Sequence, residues 1–277
     1  MRACVNRLQV TNPTDLDEAL RLLGTAPDRW QPLAGGTDVM VELSAGKLAS
    51  RKFIDLWRLP ELRGICVEES CITLGALTTY AEILQHAEMR LEFPLLAAAA
   101  SETGSVATQN RGTLGGNIMN ASPAADSPPA LLVYEAEVEL RSLRGSRWIP
   151  YPEFHTSYKE TVRASDELLT RIRLPRLSSK VRSCYRKVGP RRAQAISKVC
   201  FAALAGPDNQ EIRIAFGSVA PVPLRCYETE ACIRTGRGDP CKTLATELAP
   251  INDMRSTAAY RMRVAQNLLS GFLNHEF

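Results

Sequence analysis

The apolar positions change period several times along the chain, and each change predicts a different element. Leu16, Ala19, Leu20 and Leu23 recur at helical spacing, Thr14 with Asp17 reads as a capping box, and Gly24 supplies a stop, which predicts an amphipathic helix. Residues 30–34 read as a short buried strand, Gly35-Gly36 as a tight turn, and Thr37 as the N-cap of a helix reaching Gly46. Residues 52–56 and 70–77 follow as strands of the same α/β unit, then 79–87 and 94–100 as helices, the second apolar enough to be internal. Over 111–129 the apolar signal gives way to a long polar loop. Val138, Leu140 and Ser142 alternating with Glu137, Glu139 and Arg141 predict a strand, turned by Arg144-Gly145-Ser146 into Trp148-Ile149, and 168–174 add one more, ended by Pro175.

After Arg176 the composition shifts. Leu177-Ser178-Ser179-Lys180 reads as a linker, followed by strands at 184–188, 197–205 and 212–219, with Asp208-Asn209 as a turn. Helical patterns close the chain at 228–234, 241–248 and 256–273, the last placing Tyr260, Val264 and Leu268 on one face. Strands followed by helices predict a small α+β domain whose sheet has one covered face.

Composition narrows the function classes. The 277 residues are 45% hydrophobic and 23% charged, ordinary for a soluble globular protein, with a formal net charge of +4. The densest basic run, Lys187 to Arg192, is too local for nucleic acid and suits an anionic small molecule better. Neither a signal-peptide core in the first ten residues nor a bilayer-length apolar run is apparent, so a cytoplasmic protein without a membrane partner is expected. The 8 cysteines form no C-x-x-C pair and have no histidine at ligand spacing, which points to free thiols rather than a metal or cluster site. His86, His155 and His275 lie far apart and read as structural.

Candidate chemistry concentrates in two glycine-rich stretches. In RGTLGGNIMNASPAADSPP (111–129), Gly112, Gly115 and Gly116 allow positive φ and close approach of a ligand to the main chain. Thr113, Asn117, Asn120 and Ser122 add neutral donors and acceptors, and Asp126 is the one carboxylate, with Arg111 the nearest cation in sequence. The turn at Gly35-Gly36, between a strand and a helix N-terminus, has the makings of an anion nest whose natural guest is phosphate. It is neither a Walker loop nor the nicotinamide G-x-G-x-x-G fingerprint. Each stretch alone also reads as a plain connection, whereas two such loops closing on one diphosphate suit a dinucleotide.

LAGGTDVMVELSAGK (33–47), RGTLGGNIMNASPAADSPP (111–129), EFHTSYKETVRASDELLTRIRLP (153–175), YRKVGPRRAQAISKV (185–199) and RIAFGSVAPVPLR (213–225) resemble, in order and spacing, the successive motifs of the FAD-binding subunit of molybdenum hydroxylases, the xanthine dehydrogenase branch most of all. The resemblance implies an α+β fold: a two-subdomain FAD-binding domain of the vanillyl-alcohol oxidase / p-cresol methylhydroxylase type at 1–176, divided near 56, and a C-terminal α+β domain at 177–277. Carried over by position, Leu33, Ala34, Gly35, Gly36, Thr37 and Asp38 resemble the loop that takes the pyrophosphate. Thr113, Gly116, Asn117, Asn120, Ser122 and Asp126 resemble the second loop, on pyrophosphate, ribityl and adenosine. Thr103 stands where the family places a residue near the isoalloxazine, Leu169 or Ile172 would pack near the adenine or ring, and Lys187 aligns with a lysine reaching the cofactor from the C-terminal domain. Lys187, Arg191 and Arg192 would make the flavin's surroundings positive.

No histidine or cysteine lies in either loop, so the FAD is expected to be non-covalent. The resemblance further implies a molybdopterin-binding large subunit and a small subunit with 2Fe-2S clusters as partners, assembled as a dimer of heterotrimers, with electrons passing from FAD to NAD. No residue of this chain is assigned a catalytic role. An independent flavoprotein oxidoreductase, a non-redox nucleotide-binding module, and a medium subunit for another heterocycle, an aldehyde or CO remain open alternatives.

Overall fold

The computed structural model describes residues 8–26, 29–177, 181–191, 194–207 and 209–276. The expected linker residues Ser178, Ser179 and Lys180, together with Arg192 and Asp208, lie outside the described residues. The fold is mixed α+β and its described strands form separate sheets.

The first sheet is small and parallel. Strands β1 (Gln9–Thr11) and β2 (Gln31–Leu33) both pair with β3 (Lys52–Asp55), and helices α1 (Leu16–Thr25) and α2 (Thr37–Ser44) form the crossovers. Leu16, Ala19, Leu20 and Leu23 of α1 pack with Ile54 and Leu56 in one cluster, as their spacing predicts. The cap differs from the expected box: Asp15 Oδ1 accepts from Glu18 N at 2.7 Å, while Thr14 donates to the Glu18 carboxylate. Gly24 lies within the last turn of α1 rather than ending it.

The second sheet is antiparallel, ordered β4 (Ile65–Val67), β5 (Cys71–Gly75), β10 (Leu168–Pro175), β6 (Glu137–Ser142), β7 (Gly145–Pro150). The strands near 52 and 71 therefore belong to two sheets, not to one α/β unit, because the chain turns at Pro60 and Gly64 (φ +91°) into a hairpin that pairs with the distant β10. Between β5 and β6 run α3 (Tyr80–Gln85), α4 (Ala87–Glu92), α5 (Pro94–Glu102), α6 (Val106–Gln109), α7 (Leu114–Met119) and α8 (Pro128–Val133). The stretch read as a long loop thus holds one short helix, α7, and runs into the start of a second, α8, which is wholly buried. The small hairpin β8 (His155–Ser157) and β9 (Glu160–Thr161) follows β7.

The third sheet is an antiparallel meander, β11 (Arg182–Val188), β12 (Val199–Ala205), β13 (Ile212–Gly217) and β14 (Leu224–Arg225), followed by α9 (Tyr227–Thr235), α10 (Pro240–Glu247) and α11 (Ala258–Leu273). Both faces of this sheet are covered, against the expectation of one. Phe201, Ala203, Ile214 and Phe216 pack with Leu269 and Phe272 of α11, whereas Tyr185, Cys200, Ala202 and Ala215 join the core of the preceding region through α5 and α8. Burial of every residue in β12 is the result. The inner face of α11 is formed by Arg261, Ala265, Leu268, Leu269 and Phe272, and Tyr260 stays largely exposed, so the expected stripe is rotated by about one position.

Candidate functional site

The two glycine turns, far apart in sequence, touch. A Cβ on Gly35 would stand 1.7 Å from the Arg111 carbonyl oxygen, so the first turn rests directly on the main chain of the second. Gly36 takes a left-handed conformation (φ +75°) and serves as the N-cap of α2 in place of Thr37. No side chain caps that helix, which leaves its first amides without an intrahelical partner and directed at the turn.

The second turn is fixed to the end of β5. Leu114 N donates to Thr78 O at 2.9 Å, Gly115 N to Ala76 O at 3.0 Å, and Thr113 Oγ1 caps α7 by accepting from Gly116 N at 3.0 Å. Gly112, Gly115 and Gly116 do not use the positive φ that glycine allows. Their lack of a Cβ serves close approach instead, since at Gly115 a Cβ would lie 2.6 Å from Ala76 O.

Around the contact the surface opens into three adjoining cavities. The first, about 450 Å³, is walled by Leu33, Ala34, Gly35, Gly36, Thr37 and Asp38 on one side and by Thr113, Gly116, Asn117 and Asn120 on the other. The second, about 920 Å³, shares Thr103, Asn117 and Asn120 with the first, continues past Ser122 and Asp126, and reaches Ile196, Ser197 and Arg255 of the C-terminal region. The third, about 190 Å³, is mainly apolar, lined by Leu62, Leu77, Leu168 and Leu169 with Gln31 and Arg163 at its wall, and meets the first at Ala34 and Gly116. Together they make one elongated cleft with a polar middle, within or above the usual size range for small-molecule sites.

Most of the residues expected to hold the cofactor are therefore cleft walls, Ile172 and Lys187 excepted, and neither Arg111 nor Arg191 lines the cleft. Ile172 is fully buried in the main core, and Lys187 Nζ points at Asp126 Oδ2, 2.6 Å away, and donates to Glu102 O at 2.9 Å. The Asp126 carboxylate also accepts from Ser197 Oγ at 2.7 Å, and Tyr185 OH donates to the Asp126 carbonyl. Burial raises the Asp126 carboxyl above its usual range, and the Lys187 charge opposes that rise. Lys187 is thus one half of a neutral buried pair rather than a free cation beside the cleft. Arg111, the cation nearest in sequence, stacks on Trp57 at 3.7 Å from the ring centroid, with Arg63 also over that ring at 4.4 Å.

Tyr80, Thr108, Lys159 and Ile196 also line the cleft and were passed over in the sequence. Nothing in their local pattern distinguishes them. The Thr103 hydroxyl donates back to Ala99 O at 2.8 Å.

The cleft fits a flavin dinucleotide on its own features. Asn117 Oδ1 is buried in the wall without any hydrogen-bond partner, an acceptor that demands a donor from a ligand. Uncapped amides of α2 face the polar middle, and a mainly apolar compartment lies at one end.

His155 stands behind this region with its Nε2 3.1 Å from Tyr151 OH, and burial lowers it to about 4. It is neutral in the folded chain. The unfolded chain gains the extra proton as pH falls from 6.5 towards 4, so this histidine lowers stability across that window and not above it. We expect His155→Phe to flatten the pH dependence of the urea midpoint between those values, relative to the parent chain.

Sequence comparison places this architecture in the class of FAD-binding chains: residues 6–177 match the family described as "FAD binding domain in molybdopterin dehydrogenase" and residues 184–275 that described as "CO dehydrogenase flavoprotein C-terminal domain". The chain is 32% identical over 267 residues to the xanthine dehydrogenase FAD-binding subunit of Escherichia coli O157:H7, covering 91% of this chain and 90% of that one. It is 32% identical over 261 residues to the glyceraldehyde dehydrogenase medium chain of Sulfolobus acidocaldarius, covering 91% and 92%. A carbon monoxide dehydrogenase structure from Hydrogenophaga pseudoflava, the form lacking the Mo-pyranopterin moiety, superposes with a TM-score of 0.91 at 27% identity, covering 97% of this chain and 96% of that one. The chain belongs to the FAD-binding subunits of the molybdenum hydroxylases.

Proposed function

We propose that this chain is the electron-transfer subunit of a xanthine dehydrogenase, taking electrons from a 2Fe-2S partner subunit and delivering them from FAD to NAD. A molybdopterin-binding large subunit would carry the substrate site, the whole forming a dimer of heterotrimers in the cytoplasm. The 7 described cysteines are all unbridged, in keeping with a reducing compartment. Domain boundaries at 1–176 and 177–277, with a subdomain division near 56, accord with the separate sheets.

The observation that carries this reading is the contact of Gly35 with Arg111, which brings two amide-lined turns onto one cleft. The pyrophosphate would lie between residues 33–38 and the turn at Thr113 and Gly116. Asn117, Asn120 and Ser122 would take the polyol, Thr103 would border the isoalloxazine in the large compartment, and Leu169 would pack on the adenine in the apolar one. Ile172 would support Leu169 from the core, while Lys187 would act through Asp126. FAD, when bound, supplies both one-electron and hydride exchange. The chain's own part is to hold and orient it, and to brace the cleft wall at Asp126 through the Asp126–Lys187 pair.

The test is purification of the intact complex. FAD released by acid, a molybdenum and an iron–sulfur partner, and xanthine-dependent reduction of NAD are the expected results. A chain that stays colourless with FAD overturns the cofactor assignment, whereas activity on another heterocycle, an aldehyde or CO overturns only the substrate.

A further inference from the structure

The hairpin β8–β9 reaches the cleft from a part of the chain remote from both glycine turns. Its root is firm: the His155 ring packs edge-on to Tyr151 and Phe154, with centroids 5.4 and 5.2 Å away, and Phe154 is fully buried. Ser157 Oγ donates to the Glu160 carboxylate at 2.5 Å, closing the loop beneath its tip. At the tip Lys159 is left-handed (φ +60°), a conformation that a non-glycine residue adopts only at a cost. Such local strain concentrates at ligand clamps. Lys159 lines both the first and second cavities, and Tyr158, 62% exposed, lines the second.

The charges around the glycine turns make this placement informative. Asp38 and Glu42 both line the first cavity, and Lys159 is the one cation among its described lining residues. Burial raises the Asp38 carboxyl, with Lys159 opposing and Glu42 adding to the rise. Arg111 is engaged with Trp57, and Lys187 with Asp126. A diphosphate entering between the turns would meet amides and two carboxylates, and it needs a counter-charge that neither turn supplies.

We infer that Lys159 is the cation of the diphosphate subsite, held over the cleft by the strained tip of the β8–β9 hairpin. This rests on the FAD reading and deepens it. The full chain stripped of flavin is titrated with FAD at low and high salt, as the parent, Lys159→Ala and Lys159→Arg. The alanine variant should bind FAD at least tenfold more weakly, with a shallower salt dependence, because an exposed ion pair is the interaction that salt screens. Arginine should restore most of the affinity, and the unfolding midpoint of the flavin-free chain should not move.

Affinity and salt slope unchanged in Lys159→Ala would overturn the inference while leaving the FAD reading intact. Equal weakening by alanine and arginine would also overturn it, since the residue would then act through backbone shape. A parent chain that takes up no FAD overturns both.

Discussion

Replacing Gly35 with alanine should leave the chain unable to retain flavin. The new methyl would lie 1.7 Å from the Arg111 carbonyl oxygen and 2.6 Å from its carbon, so it collides with backbone, which has no alternative rotamer. The two turns must part. Overpacking of this kind costs about 1–3 kcal/mol or more, and at about 1.4 kcal/mol per factor of ten the upper end corresponds to roughly a hundredfold loss of FAD affinity. Gly36→Ala is the informative comparison, because its Cβ would meet only Leu33 Cδ1 at 3.7 Å and the penalty is confined to the left-handed backbone. Visible absorbance per mole of purified protein should therefore rank parent, Gly36→Ala, Gly35→Ala. A fully yellow Gly35→Ala chain would mean that contact between the turns is not required for the cofactor.

The second large effect concerns Asp126 and Lys187, whose side chains are 11% and 3% exposed. Removing one member of such a pair strands the other, a loss of about 3–5 kcal/mol, whereas removing both is much milder. Lys187→Met and Asp126→Asn should each lower the urea midpoint strongly, and the double variant should recover much of the loss. The pH dependence sharpens this. Without Lys187 only the Ser197 hydroxyl is left to offset the rise that burial imposes on the Asp126 carboxyl. A carboxyl raised in the folded state favours folding below its unfolded value and loses that advantage as pH climbs through the folded one. The deficit of Lys187→Met should therefore shrink in acid and widen towards neutrality. Additive single effects, or a deficit independent of pH, would show that the pair does not act as a unit.

What could be read in the chain beforehand followed from chemistry that is local. Glycines packed beside threonine and asparagine interrupt the apolar period, so both turns stood out, and the chemistry of a strand–glycine–helix junction is set within a few residues. The Asp126–Lys187 pair could not be seen in the same way, because its members are brought together only when the third sheet docks on α5 and α8. Lys159 was hidden among 34 basic residues, since its importance comes from where a hairpin tip ends up. The doubly covered sheet was in principle legible: VCFAALA contains no polar residue at all, which is the signature of a strand buried on both sides rather than one.

That unbroken strand has a consequence for how such subunits can diverge. Its far side is completed by α8, and α8 begins two residues after Asp126, so the seam between the halves and the wall of the cleft share the same few residues. The C-terminal hundred residues are therefore no cassette to be grafted between relatives. A drift in the small side chains Ala202 or Ala215 would press on the segment that positions Asp126, and changes of redox behaviour could arise from alanines that touch no ligand.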